Sequence, residues 1–110
     1  MSERDIRLYF AEILDSCNAI GQFVEGLSYE EFRNDRKTYS AVIREFEIIG
    51  EAMNRIDKLD SKLSISGKRQ ISNMRNRVIH GYDRIDDDII WGTIIRHLPV
   101  LKREIEILLK

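Results

Sequence analysis

Cysteine is almost missing from this chain: Cys17 is the only one in 110 residues. With no partner inside the chain a disulfide framework is excluded, and a reducing compartment, the cytoplasm, is the expected location. Proline is as scarce, represented by Pro99 alone, and the six glycines are scattered. No linker-like stretch divides the chain, so residues 1–110 read as one domain. Asn-Gly and Asp-Gly pairs are absent, and no segment alternates apolar and polar residues for the length of a strand, which argues against a β-rich fold. Uncharged apolar runs long enough to cross a bilayer are also absent, as is a leader-like N-terminal stretch. Histidine occurs only at 80 and 97. Without a Cys pair, a His-Glu-x-x-His motif, a Gly-rich phosphate loop or a nucleophile elbow, neither a metal centre nor a bound cofactor is expected.

What the chain does contain is helix-forming material. Hydrophobic residues make up 43% and charged residues 34%, the balance of a soluble helical domain rather than a disordered one. Ile6, Phe10, Ile13, Leu14, Cys17, Ile20 and Val24 recur at helical spacing and predict a first helix over Glu3 to Val24, closed at Gly26. Ser28 opens a short helical turn through Tyr29 and Phe32, interrupted by "NDRKT". Val42, Phe46, Ile49, Met53 and Ile56 predict a second long helix from Thr38 to about Leu59. After the connection "DSKLSISG", Ile71, Met74 and Val78 mark a third, from Lys68 to His80, with Gly81 as its stop. The acids Asp86 to Asp88 suit the positive N-terminus of a last helix carrying Ile90, Ile94, Leu98, Leu101, Ile105 and Leu108. Pro99 predicts a kink near Ile95 to Leu98, because it removes a backbone donor and crowds the carbonyl four residues back. The fold class is therefore all-α, a four-to-five-helix up-and-down bundle. Ile89, Trp91 and Ile95 lie beside the Ile90 row as surplus apolar positions, and a homodimer would bury them.

Net charge is −1, but its distribution is uneven. Ser61 to Tyr82 holds Lys62, Lys68, Arg69, Arg75 and Arg77 with no carboxylate, and four aspartates follow within six residues. A local basic surface is compatible with a neutral protein; so is a solvated helix face followed by capping acids. Within this stretch, "RNRVIHGY" places Arg75 and His80 five residues apart, about 140° around a helix, and Asn76 on the same face as His80. Two explanations remain open on spacing alone. Basic residues in a last turn complement the helix dipole. The same residues also suit phosphate chemistry, with Arg75 as a two-pronged clamp, His80 as acid or base, Asn76 as an orienting group and Tyr82 as a base-stacking or phosphate-facing phenol. Metal-free RNA cleavage needs one group to take the 2′-hydroxyl proton and another to protonate the leaving 5′-oxygen. One chain offers one suitable histidine, so a two-fold dimer would complete the site. His97, flanked only by Arg96, reads as a surface or packing residue.

"RNRVIHGY" resembles the signature of the HEPN superfamily, and Arg75, Asn76, His80 and Tyr82 match the Arg-x4-His-x-Tyr form of its HepT-like branch. "EFEIIGEAMNRI", "MRNRVIHGYDRID" and "IIWGTIIRHLPVLKREIEILL" resemble successive helices of that branch in the right order. The resemblance implies a helical homodimer acting as a metal-independent endoribonuclease, the toxin of a toxin–antitoxin pair. It further implies that Arg75, His80 and Asn76 are catalytic, and that a minimal nucleotidyltransferase antitoxin transfers AMP to Tyr82 to inactivate the enzyme. Lys68, Arg69 and Arg77 are candidates for RNA contact from their charge. The alternative is a non-catalytic nucleotide- or partner-binding subunit associated with a nucleotidyltransferase.

Overall fold

The apolar stripes become helices where the periodicity predicts them. The computed structural model describes the backbone of residues 3–79 and 87–110, and the side chains of residues 5–74 and 87–110. All regular structure among the described residues is helical: α1 (Glu3–Val24), α2 (Tyr29–Asn34), α3 (Arg36–Leu59), α4 (Lys68–Ile79), α5 (Asp87–Gly92), a π-helical turn (Thr93–His97) and α6 (Leu98–Leu109). α1 and α3 pack along each other, α6 returns along α1, and α4 lies on α3. Arg7 near the start of α1 donates to the carbonyls of Leu108 and Leu109 at the end of α6, so these two helices run antiparallel. An ion pair between Lys68 and Asp57 likewise joins the start of α4 to the end of α3. The result is an up-and-down bundle.

Its core takes Phe10, Ile13, Cys17 and Ile20 from α1 and all five stripe residues of α3. Ile71 and Met74 of α4 join them, as do Ile90, Ile94, Leu98, Leu101 and Ile105 along the last helical run. Each fully buried aliphatic side chain contributes about 1.5–3 kcal/mol of transfer free energy, which is why the stripes, rather than local propensity, decide where the helices lie.

The joints depart from the sequence-based expectation in two places. The interruption at "NDRKT" is a single residue, and α3 begins at Arg36 rather than Thr38. Asp35 caps it: its carboxylate accepts from the Thr38 backbone N–H at 3.1 Å and from the Thr38 hydroxyl at 2.7 Å. Those two bonds hold the Asp35 carboxyl below its ordinary range. The preceding helix starts with a capping box, in which Ser28 accepts from the Glu31 N–H and Glu31 accepts from the Ser28 N–H. Gly26 and Gly67 both have φ of +77°, a conformation that costs other residues about 1–2 kcal/mol, and each stands at a turn into the next helix.

The second departure is at Pro99. The expected interruption is a π-turn one turn upstream, where Leu98 donates its N–H to the Thr93 carbonyl five residues back. In α-helical register the proline ring would press on the Ile95 carbonyl; widening the turn shifts that carbonyl out of line. The Thr93 hydroxyl, buried, donates to the Ile89 carbonyl at 2.7 Å as the turn opens. Trp91 is not surplus: it packs at 5.2 Å between ring centroids on Phe32 and at 6.1 Å on Tyr29, fastening α2 to α5. Leu8, Ile95, Val100 and Ile107 do remain exposed, by 53 to 60%.

Candidate active site

The motif helix is held from its inner side. Gly67 turns the chain into α4, the Ile71 N–H donates to the Gly67 carbonyl at 3.0 Å, and Ile71 and Met74 are buried. These two anchors fix the rotation of α4, and with it the register of the backbone that follows. Arg75, Asn76 and Arg77 occupy the last turn and a half of that helix. His80, Gly81 and Tyr82 lie outside the described residues, as does the convergence of the Arg75, Asn76 and His80 side chains. Of the three residues proposed for RNA contact, Lys68 is paired with Asp57, Arg69 is exposed, and the Arg77 side chain lies outside the described residues.

The chain is pinned again where α5 begins. The Asp87 side chain is only 7% exposed, with its Oδ2 at 3.5 Å from Arg33 Nε. Its buried Oδ1 has no hydrogen-bond partner among the described residues. Next to it, Asp88 accepts a hydrogen bond from the Tyr29 hydroxyl; that bond, with some desolvation and the negative charge of Asp88, raises the Tyr29 phenol above its ordinary pKa. The Arg33 guanidinium stands 5.7 Å over the Tyr29 ring. Asp87 and Asp88, which the sequence offers only as N-terminal helix acids, are thus joined to α2 by Arg33 and Tyr29. No periodic pattern signals a pairing across more than fifty residues.

Between α4 and the run from Asp88 to His97 lies a cleft of about 550 Å³. Gln70, Asn73 and Met74 form one wall; Ile89, Arg96 and His97 stand on the other, with Asp88, Gly92 and Thr93 completing it. His97 sits over the turn into α4: a Cβ added at Gly67 would be 3.8 Å from its own Cβ.

Together these features define an all-α bundle whose basic helix α4 carries Arg75, Asn76 and Arg77 in its last turns and lines an open cleft. The family model for "Ribonuclease HepT-like" proteins matches residues 13–108, and the chain belongs to that family. "Putative RNase MJ1380" of Methanocaldococcus jannaschii is 35% identical over 97% of this chain and 99% of its own. "Probable ribonuclease HepT" of Thermococcus cleftensis is 34% identical over 98% of this chain and 99% of its own. "Putative RNase TTE0752" of Caldanaerobacter subterraneus subsp. tengcongensis is 34% identical over 94% of each chain. No solved structure matches the chain.

Proposed function

We propose that this protein is a metal-independent endoribonuclease, the toxin of a toxin–antitoxin pair, whose active site forms where two copies of the α4 exit meet. The observation that carries this is the intact sequence motif, Arg75, Asn76, His80 and Tyr82, whose first two residues lie in the last turns of the core-anchored α4, in a chain that matches the ribonuclease family model from residue 13 to 108. Cleavage requires removal of the proton from a ribose 2′-hydroxyl, attack of that oxygen on the adjacent phosphorus, and protonation of the departing 5′-oxygen. The products are a 2′,3′-cyclic phosphate and a 5′-hydroxyl. His80 of one subunit serves as base and its symmetry mate as acid. Arg75 holds two phosphate oxygens and stabilises the charge that develops on them, and Asn76 orients the imidazole or a phosphate oxygen. AMP transfer to Tyr82 by a minimal nucleotidyltransferase would place a phosphate and a base where the RNA phosphate binds, and so close the site by charge and bulk.

The test is an assay of purified protein on single-stranded and structured RNA in EDTA. Wild type is expected to cut, with His80→Ala and Arg75→Ala reduced at least about 10²-fold, the range for loss of one acid–base or charge-stabilising group. Cleavage that persists in His80→Ala removes His80 from the chemistry. Absence of cleavage by wild type, together with nucleotide or partner binding that depends on Arg75, would establish the non-catalytic subunit instead. Co-expression with the nucleotidyltransferase and mass spectrometry of Tyr82 tests the switch.

A further inference from the structure

The cleft between α4 and the π-turn lies outside the Arg-x4-His-x-Tyr motif, and its walls are chemically divided. Met74 and the half-exposed Ile89 are apolar. Gln70 and Asn73 stand three residues apart on α4, the spacing that sets two side chains on one side of a helix. Arg96 and His97 come from the π-turn opposite, and Arg96 makes no ion pair with a described residue. Amides carry donors and an acceptor together, which suits the edge of a nucleobase. Apolar side chains suit its faces, and a guanidinium suits the phosphate of the same nucleotide. A volume of about 550 Å³ is within the range of small-molecule sites. Asn76 of the motif follows Asn73 by three residues on α4, the spacing that sets two positions on one side of a helix, so an occupant of the cleft would be a near neighbour of a phosphate held at that side of the motif. Among the described residues the rim carries one carboxylate, Asp88, which is engaged by the Tyr29 hydroxyl.

We infer that this cleft is a nucleotide subsite: it seats one unpaired base of the RNA substrate beside the scissile phosphate, with Gln70 and Asn73 reading the base edge and Arg96 holding its phosphate. Unpaired bases, splayed out and read along their edges, are the usual targets of sequence-selective RNA recognition. The subsite rests on the ribonuclease function proposed above and adds to it a source of cleavage-site preference.

The experiment uses full-length wild type, Gln70→Ala/Asn73→Ala, Arg96→Ala and Arg96→Lys on a series of single-stranded RNA oligonucleotides that differ at one position. Wild type is expected to prefer some members of the series. Gln70→Ala/Asn73→Ala flattens that preference and raises KM for the preferred member roughly tenfold, the scale of a lost bidentate base contact, with the larger effect on KM rather than kcat. Arg96→Ala raises KM by a similar factor for all members, since phosphate contacts carry no sequence information, and Arg96→Lys restores part of it. Unchanged KM and cutting pattern in the variants overturns the subsite while the ribonuclease function stands. Variants that lose a dimer's mass by light scattering overturn it as well, because the cleft is then an interface between subunits. A wild type that cuts no RNA overturns both.

Discussion

Cys17 shows how far a single residue type can be understood from its position in a pattern. It falls on the α1 stripe between Ile13 and Ile20 and is buried with them. Burial, outweighing the nearby positive charge of Lys102, pushes its thiol up to about 12. A thiol raised that far carries almost no reactive thiolate at mildly alkaline pH. Iodoacetamide at pH 8 is expected to leave native protein unlabelled and to label it fully in guanidinium, as read by mass spectrometry; rapid native labelling would show that α1 does not pack as described. The α3 stripe from Val42 to Ile56 was legible in the same way. Asp35 was not. A lone acid in "NDRKT" has the composition of a loop, and only the position of Thr38 above it shows that its carboxylate starts the helix and shortens the break to one residue.

At the scale of elements, the short α2 is tied to the rest of the molecule through α5, by the Phe32–Trp91 ring contact and by Arg33 on Asp87. Hydrophobic spacing indicates which side of each helix faces inward, and it did so for α1, α3, α4 and α6; it carries no information about which polar groups meet across the bundle. Arg33→Ala would leave the buried Asp87 carboxylate without its cation, a loss of about 1–3 kcal/mol for an abandoned buried partner, tempered because Arg33 is partly open to water. Asp87→Asn added to Arg33→Ala should recover part of that loss. Urea unfolding of the two single variants and the double variant measures the coupling, and strictly additive effects would mean that the pair does not hold α5. Composition indicated that Pro99 must disturb the last helix, but not how. The choice between a kink and a wide turn depends on the Thr93 hydroxyl and on packing either side, neither of which is written in periodicity.

For the whole molecule, the decisive quantity is the number of histidines per site. The motif supplies one, and the proposed cleavage uses two, so activity should belong to the dimer. Mixing wild type with His80→Ala and allowing subunits to exchange tests this directly: activity is expected to fall with the square of the wild-type fraction, whereas a linear fall would mean that each chain works alone. The exposed Ile95, Val100 and Ile107 on the last helical run are apolar surface that such an association could cover. The bundle class, the element order and the place of Arg75 to Arg77 in the last turns of α4 were all readable from the chain. The geometry of the proposed paired site was not, because a two-fold axis leaves no mark in one sequence.

The π-turn has one more consequence. Five residues from Thr93 to His97 complete a turn that an α-helix completes in fewer, so the last helix holds a surplus residue over the distance it covers. The packing on either side is already arranged around that surplus. Loss of one residue there would return the turn to α-helical register and bring the Pro99 ring back against a carbonyl, and it would rotate Arg96 and His97 against α4 while leaving the core layers on either side in place. The helix that closes the bundle thus contains a point at which the lining of the cleft can be altered without rebuilding the fold.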